Sequence, residues 1–337
     1  MKKRVAPPIS AVGIDVAKAT LSVCCRSNDG TETALSLRNT DTDIRRKLLD
    51  RLSGFRGRIV MESTGHYHWL IALRLTEAGL DVRVVNPILA KQYTASNIRK
   101  VKTDPADASG LARMAELADN LPEKFSQTKE SLILRKKLSL ISSLGKQVQA
   151  MRANLNHLQE VHEIFGAGMS SCEQETEHAI ASVRRLIARL EREFETEARR
   201  FEGNAGQAAL LETIPGVSTF CAHLLLHWCS RMQGLSAKSW IGFAGLDVSS
   251  RESGTWHGRC RLTKRGNPYL RQRIYAAAWG ASMNDEKFFA YYGHLRAEGR
   301  AHVEALLIIA RKIIRIAFKV LETKSVYDPS KFSFGTA

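Results

Sequence analysis

The run AVGIDVA, Ala11–Ala17, is a short apolar segment that carries a carboxylate, Asp15, inside it. Its length and apolar character predict a strand. TLSVCCRS (20–27) follows, then the turn residues Asn28-Asp29-Gly30, then TALSLRN (33–39), which together predict a three-strand meander. Thr42 to Leu52 has helical periodicity, and GRIVMEST (57–64) is a second apolar run broken by an acid, Glu62. HYHWLIALRLTEAG (66–79) reads as a helix closed by Gly79, and LDVRVVNP (80–87) as a strand stopped by Pro87. The resulting order, β-β-β-α-β-α-β-α, predicts a mixed α/β domain over residues 1–125.

Beyond it the pattern changes to long helices. Ile141, Leu144, Val148, Met151, Leu155 and Leu158 step by three and four, and Ile180, Val183, Ile187, Leu190 and Phe194 do the same. The loop FGAGMSS (165–171) can reverse the chain between them. Two helices with one apolar seam each make a helical hairpin or an intermolecular coiled coil. We expect an arm over residues 126–205 that helps assemble several chains. After Gly203-Asn204-Ala205-Gly206 a third region, 206–325, is helical at both ends with a Gly- and Arg-rich centre, and 326–337 reads as a flexible tail.

Composition narrows the partners. The 337 residues are 44% apolar and 25% charged, as in a globular protein. Fifty Lys+Arg against 34 Asp+Glu give a net charge of +16. Such an excess favours a polyanionic partner, nucleic acid before an anionic membrane surface. There is no apolar run of about eighteen residues to span a bilayer. Asp15 and Lys18 interrupt any signal-peptide core after the basic N-terminus, so we expect a cytoplasmic protein. Six cysteines without paired spacing suit a reducing compartment. CAHLLLHWC (221–229) puts His223 and His227 on one helical face but both cysteines elsewhere, so a packed helix is expected there and not a zinc site.

The chemistry-bearing candidates are acids. A lone carboxylate is costly to bury, yet Asp15 and Glu62 each follow an apolar run on separate predicted strands. If those strands are neighbours, both side chains converge on one end of the sheet. KTDPADA (102–108) adds Asp104 and Asp107 around Pro105, which is also the pattern of a helix N-cap with Pro at N1. Four acids in one cleft would raise each other's pKa unless a cation sat among them. Hard oxygen ligands suit Mg²⁺, and two such ions about 4 Å apart serve phosphodiester chemistry. Lys and Arg would then hold the polyanion while the ions act on it.

The third region offers two further elements. IPGVS (214–218) resembles the turn of a helix-hairpin-helix, whose backbone N–H groups after Pro-Gly can grip a phosphate, with Gly216 and Ser218 as the candidates. Ser218 stands where a second glycine is usual. Ser253, in a glycine-flanked loop among Arg251, Arg259, Arg261, Lys264, Arg265, Arg271 and Arg273, could attack a phosphate whose developing charge the guanidinium groups stabilise. A merely solvated serine has the same sequence signature.

Taken in order, GIDVAK, MESTGHY, NPILAKQY, KTDPADASGLA, IPGVS and FAGLDVSSRESGTWHGRCRLTKRGNPYLR resemble the insertion-sequence one-ten family of DEDD transposases, the bridge-RNA-guided DNA recombinases. The resemblance implies an α/β N-terminal RNase H-like (Holliday-junction-resolvase-like) domain, an α-helical coiled-coil insertion and a mostly α C-terminal transposase domain. It maps an Mg²⁺-binding tetrad, with two ions per site, to Asp15, Glu62, Asp104 and Asp107, and the serine nucleophile to Ser253. It further implies double-stranded donor and target DNA, a structured non-coding guide RNA, a homo-oligomer (dimer or tetramer) whose sites combine two chains, and a nucleoid-associated setting in a bacterial cytoplasm. Val217-Ser218 after Pro-Gly and the aromatic-His pair of GTWHG depart from the family pattern. Two other readings use the same residues: a structure-specific Mg²⁺-dependent junction nuclease, and a non-catalytic nucleic-acid-binding protein whose acids cap helices.

Overall fold

The computed structural model describes residues 8–94, 104–168, 170–201, 205–229, 234–249, 252–253, 256–257 and 261–331, without the side chains of 92–94, 104–105, 201, 205, 252–253 and 256–257. The chain forms two compact units, Met1–Leu132 and Ile133–Ala337.

In the first unit, β1 (Ile9–Val16), β2 (Thr20–Ser27) and β3 (Glu32–Arg38) are the expected antiparallel meander. Gly30, at φ 82°, closes its second turn, and the Asp29 carboxylate accepts from the Thr31 N–H at 3.0 Å. Thr40 caps the short α1 (Asp41–Asp43), which runs into a π-helical segment (Ile44–Leu49). Then come β4 (Arg58–Glu62), α2 (His68–Glu77), β5 (Asp81–Val85), α3 (Pro87–Thr94) and α4 (Asp104–Leu117). The sheet order is β3-β2-β1-β4-β5, with β4 and β5 parallel to β1. This is the mixed α/β domain read from the sequence.

Strand alternation splits the sheet into two faces. Val12, Ile14 and Val16 of β1 join Leu21, Val23, Ile59 and Met61 against Ile44, Leu48, Ile71 and Leu75, a core whose members are at most 3% exposed. Ala11 and Val60 face the other way, onto Leu111, Met114 and Ala115 of α4. Each large side chain so buried contributes about 1.5–3 kcal/mol. Gly13 lies under α4 itself. A Cβ there would meet the Ala108 carbonyl oxygen at 2.1 Å and the Ala112 nitrogen at 2.2 Å. Glycine is what lets the helix backbone rest on the strand backbone.

Charge fixes the same helix from its sides. Arg26 pairs with Glu32 at 2.8 Å and with Glu116 at 2.5 Å, and Ser109 Oγ donates to Glu32 at 2.6 Å. Burial pushes the Glu32 carboxyl up, but hydrogen bonds from Ser109, Arg113 and Arg26 outweigh it, and the group titrates below the ordinary carboxylate range. Arg58 donates to the Glu116 and Ala118 carbonyls, both at 2.8 Å, satisfying acceptors that the end of α4 leaves open.

In the second unit, α5 (Lys129–Phe165) and α6 (Ser171–Phe201) form an antiparallel hairpin. Lys137 bonds Glu193 and Glu197 at 3.3 and 2.6 Å, Arg152 pairs with Glu177 at 3.0 Å, and His162 with Glu173 at 3.2 Å. The buried seam includes Val148, Leu155 and Ile180, with Met151, Val183 and Ile187 against it. These heptad residues pack within the chain, whereas Leu158 of the same pattern is exposed. Ser170 and Glu173 begin α6 with a reciprocal capping box.

The base of the hairpin, through Ile141, Phe194 and Ala198, shares one core with α7 (Ala205–Glu212), α8 (Thr219–Cys229), α9 (Ala237–Ala244), α10 (Pro268–Asn284), α11 (Glu286–Ala297) and α12 (His302–Thr323). The boundary expected at residue 205 thus does not separate two cores. Phe220 to Cys229 are all buried, so CAHLLLHWC is a packed helix. Between α9 and α10, β6 (Val248–Ser249) pairs with β9 (Arg261–Leu262), and β7 (Glu252–Ser253) with β8 (Trp256–His257).

The tail differs from expectation. The Tyr327 N–H donates to Thr213 Oγ1 at 2.8 Å, its ring stacks on Phe288, and Lys287 donates to the Pro329 carbonyl at 3.1 Å. Of the tail expected over 326–337, residues 326–331 are anchored by these bonds, and 332–337 lie outside the described residues. Among the described residues no helix is long and apolar enough to cross a membrane.

Candidate functional site

Asp15 is the penultimate residue of β1 and pairs with Ser22 of β2. Glu62 is the last residue of β4. The parallel register runs Gly13↔Val60 and Ile14↔Met61, so the next step sets Asp15 beside Glu62. Facing residues of paired strands share a sheet face. Since Val60 and Gly13 face α4, Asp15 and Glu62 belong to the α4 face as well, at the C-terminal end of two adjacent strands. Both are half-buried.

The direction of α4 brings the other two acids to the same end. Ser10, near the start of β1, donates to Glu116 at 3.3 Å, whereas Ala108 and Ala112 straddle Gly13. The helix therefore runs antiparallel to β1. From Gly13 to Asp15 the strand advances about 6.6 Å, which a helix covers in roughly four residues. Counting back from the middle of Ala108–Ala112 arrives between Asp104 and Asp107. Asp107 is half-buried, and the side chain of Asp104 lies outside the described residues. Among the described residues no group of three or more His, Cys, Asp or Glu side chains stands ready to hold a metal ion. What the fold gathers is the backbone framework of the four acids. The donors it would offer are carboxylate oxygens alone, the ligand type that fits Mg²⁺.

Two neighbours of this framework were not evident in the sequence. Cys24 lies opposite Gly13 on β2 and packs on Ala108 and Ala112, and burial, with Glu32 nearby, pushes its thiol up to about 11. Such a thiol is inert packing. Gly13 itself had a signal, because a glycine inside an apolar strand marks close backbone approach.

The second unit treats the remaining candidates unequally. Ser253 pairs with Trp256 across β7 and β8, and its side chain, like Arg251 and Arg259 entirely, lies outside the described residues. Arg261, Lys264 and Arg265 are exposed, with Lys264 at φ 53°. Arg271 donates to the Ala244 carbonyl at 3.1 Å, at the end of α9. Arg273, another of the expected cations, is engaged within the fold. Its guanidinium lies 4.8 Å from the Phe220 ring centroid, donates to the Tyr269 hydroxyl at 3.0 Å and forms an ion pair with Glu191. It braces α6, α8 and α10 from within, because a partly desolvated cation is held where rings and a carboxylate surround it.

IPGVS does form the turn between α7 and α8, with Gly216 at φ 79°. One side of Gly216 abuts α10, where a Cβ would come within 2.1 Å of the Ala277 carbonyl oxygen. Ser218 Oγ accepts from the Cys221 N–H at 3.3 Å, an N-cap for α8. That capping role accounts for a serine in place of the usual glycine.

Comparison with known proteins bears on both units. Residues 12–163 match the profile of DEDD transposases of the IS110 type, and residues 208–293 match the profile described as Transposase IS116/IS110/IS902 family. An uncharacterized 42 kDa protein of insertion element IS900 from Mycobacterium paratuberculosis is 30% identical over 28% of this chain and 24% of its own length. An uncharacterized 43.6 kDa protein of insertion element IS110 from Streptomyces coelicolor is 30% identical over 35% of this chain and 30% of its own. The matched segments thus span about a quarter to a third of those relatives. The pilin gene-inverting protein of Moraxella bovis is 22% identical over 94% of this chain and 97% of its own length. Among solved structures, Thermus thermophilus RuvC in complex with a Holliday junction substrate is similar over 31% of this chain and 95% of its own, at 16% identity and a TM-score of 0.25. Residues 12–163 thus resemble a DEDD transposase domain of the IS110 type, and residues 208–293 a transposase domain of the IS116/IS110/IS902 family.

Proposed function

We propose that this chain is an insertion-sequence transposase that cuts and rejoins DNA through the carboxylates of Asp15, Glu62, Asp104 and Asp107 and the hydroxyl of Ser253. The observation that carries the proposal is the convergence of two strand ends and the first turn of α4. The register of β1 with β4 and the seating of α4 over Gly13 support a common location for acids from three segments far apart in sequence. The two transposase-domain matches and the similarity to a pilin gene-inverting protein, a DNA-rearranging protein by its name, support the same reading.

Mg²⁺, two ions when fully loaded, would polarise the scissile phosphate and lower the pKa of an attacking oxygen. The chain's own contribution is position. Asp15 and Glu62 are fixed by the register of a five-stranded sheet, and Asp104 and Asp107 by the seating of α4 on Gly13. The Ser253 Oγ would attack phosphorus, forming a serine phosphodiester as a sugar oxygen leaves, and that ester keeps the energy needed for rejoining. The exposed cations that follow it in sequence, Arg261, Lys264 and Arg265, suit the developing charge. Guide-RNA selection of donor and target, and a dimer or tetramer combining acids and serine from two copies, complete the proposal.

The test is a pair of variants assayed for Mg²⁺-dependent strand cleavage and for covalent protein–DNA adduct. Asp15→Asn should abolish cleavage with the fold intact. Ser253→Ala should abolish adduct and strand exchange. Continued cutting without adduct by Ser253→Ala would identify a junction nuclease instead, full cleavage by Asp15→Asn would remove the acids from the proposal, and nucleic-acid binding without any cleavage, unchanged in Asp15→Asn, would leave a non-catalytic binder. RNA that copurifies and is encoded beside the gene would support the guide, and its absence from an active preparation would remove it.

A further inference from the structure

We infer that one face of α6 is a track for the phosphodiester backbone of a nucleic-acid duplex, formed by Arg185, Arg189, Arg192 and Arg200. The inference rests on the nucleic-acid reading above and assigns it a surface outside the acids and the serine loop. All four arginines are exposed. At about 100° per residue they fall within an arc of roughly 80°, and at 1.5 Å per residue they extend about 22 Å. Three of them, with Thr196, Glu193 and Glu197, line an open depression along the helix.

The carboxylates around them settle why this ridge is cationic. Glu193 stands four residues after Arg189, and Glu197 three before Arg200, the spacings at which helix ion pairs form. Neither makes that pair. Lys137 on α5 draws both carboxylates, at 3.3 and 2.6 Å, toward the hairpin seam. Glu191 is likewise committed, to Arg273 of α10. Among the described residues none of the four arginines has an ion-pair partner. Glu191, Glu193 and Glu197 hold the hairpin and the core together, and the four guanidinium groups are exposed.

On a merely solvated helix face such neighbouring acids and bases would pair with one another. With Glu193 and Glu197 turned to Lys137, the arginines beside them repel one another, and a polyanion relieves that repulsion. Planar guanidinium forks suit phosphate oxygens in two-point contacts. A linear array of about 22 Å runs alongside roughly six phosphates of one strand. Such contacts fix position and carry no base sequence, so DNA and RNA duplexes are both chemically competent.

The experiment compares the full chain with the triple variant Arg189→Gln, Arg192→Gln, Arg200→Gln, without divalent ions so that nothing is cut. Binding to a duplex of DNA, and to an RNA duplex of the same sequence, is followed by fluorescence anisotropy across a salt series. A control triple, Arg300→Gln, Lys319→Gln, Lys331→Gln, removes the same charge from exposed positions that are ion-paired in the fold. If the track is real, the slope of log K against log salt on DNA falls by about 2.7, so that roughly 40-fold of the affinity loss between 50 and 200 mM salt disappears. The control keeps its slope. An effect on only one duplex supports the track and names its occupant. Equal effects of the two triples, or an unchanged slope in the α6 triple, overturn it. Loss of cleavage in Asp15→Asn with an unchanged α6 slope would sink the track and leave the transposase reading standing. The converse result would do the reverse.

Discussion

Gly13→Ala tests the placement of α4 on the sheet with a single methyl group. The new Cβ would sit 2.1 Å from the Ala108 carbonyl oxygen, 2.2 Å from the Ala112 nitrogen and 2.7 Å from the Leu111 carbonyl carbon. All three are main-chain atoms, so no side chain can turn aside. The helix must retreat by about 1 Å to restore even a tight van der Waals contact. Overpacking of this kind costs about 1–3 kcal/mol, which in a unit of this size lowers the melting temperature by roughly 4–12 °C. The larger effect should be on chemistry. The retreat carries Asp104 and Asp107 away from Asp15 and Glu62, and about 1 Å of misplacement costs on the order of 10²-fold in rate. Mg²⁺-dependent cleavage measured well below the melting temperature separates the two effects. A variant that melts early but cuts at the normal rate would refute the claim that α4 delivers half of the acids. One that melts normally would refute the contact itself.

Three further outcomes follow from the same structure. Gly145→Ala, in the middle of α5 with nothing within 4 Å of the added carbon, should stabilise the hairpin by about 0.5–1 kcal/mol, read as a higher urea midpoint. Gly216→Ala meets both a positive φ of 79° and the Ala277 carbonyl at 2.1 Å, and should destabilise the second unit by about 2–5 kcal/mol in the same assay. Acid should weaken the first unit. Hydrogen bonds from Arg38 and Lys47 hold the Asp43 carboxyl far below its ordinary range, and hydrogen bonds from Arg74 and Arg83 lower Asp41 and Asp81. A carboxyl with a lowered folded pKa adds stability that is complete above its unfolded value and drains away as pH falls through the folded one. The urea midpoint should therefore drop from about pH 5 to pH 3, less steeply in Asp43→Asn, and a flat profile would contradict the pairing.

Local patterns in the sequence carried the sheet well. Apolar runs bounded by Asn28-Asp29-Gly30, Gly79 and Pro87 read as strands and helices because turn chemistry and periodicity act over a few residues. The neighbouring placement of Asp15 and Glu62 could only be conditional, since it depends on the pairing of β1 with β4 across the intervening meander and helix. The charge of Arg273 is visible in a sequence, but its packing against Phe220 is not. Tyr327 sits in a polar, tail-like stretch, and only the fold reveals the Phe288 ring and the Thr213 hydroxyl that hold it. The heptads of α5 and α6 mark an apolar seam, but not that Val148, Leu155 and Ile180 pack within one chain while Leu158 stays exposed.

The parallel register of β1 and β4 has a mechanical consequence. Neighbouring strands lie about 4.8 Å apart whatever their side chains, because the spacing is set by main-chain hydrogen bonds. The sheet is thus a ruler, and Asp15 and Glu62 are two marks on it. Drift in the apolar residues beneath them can change how firmly the ruler is mounted without altering the interval it measures.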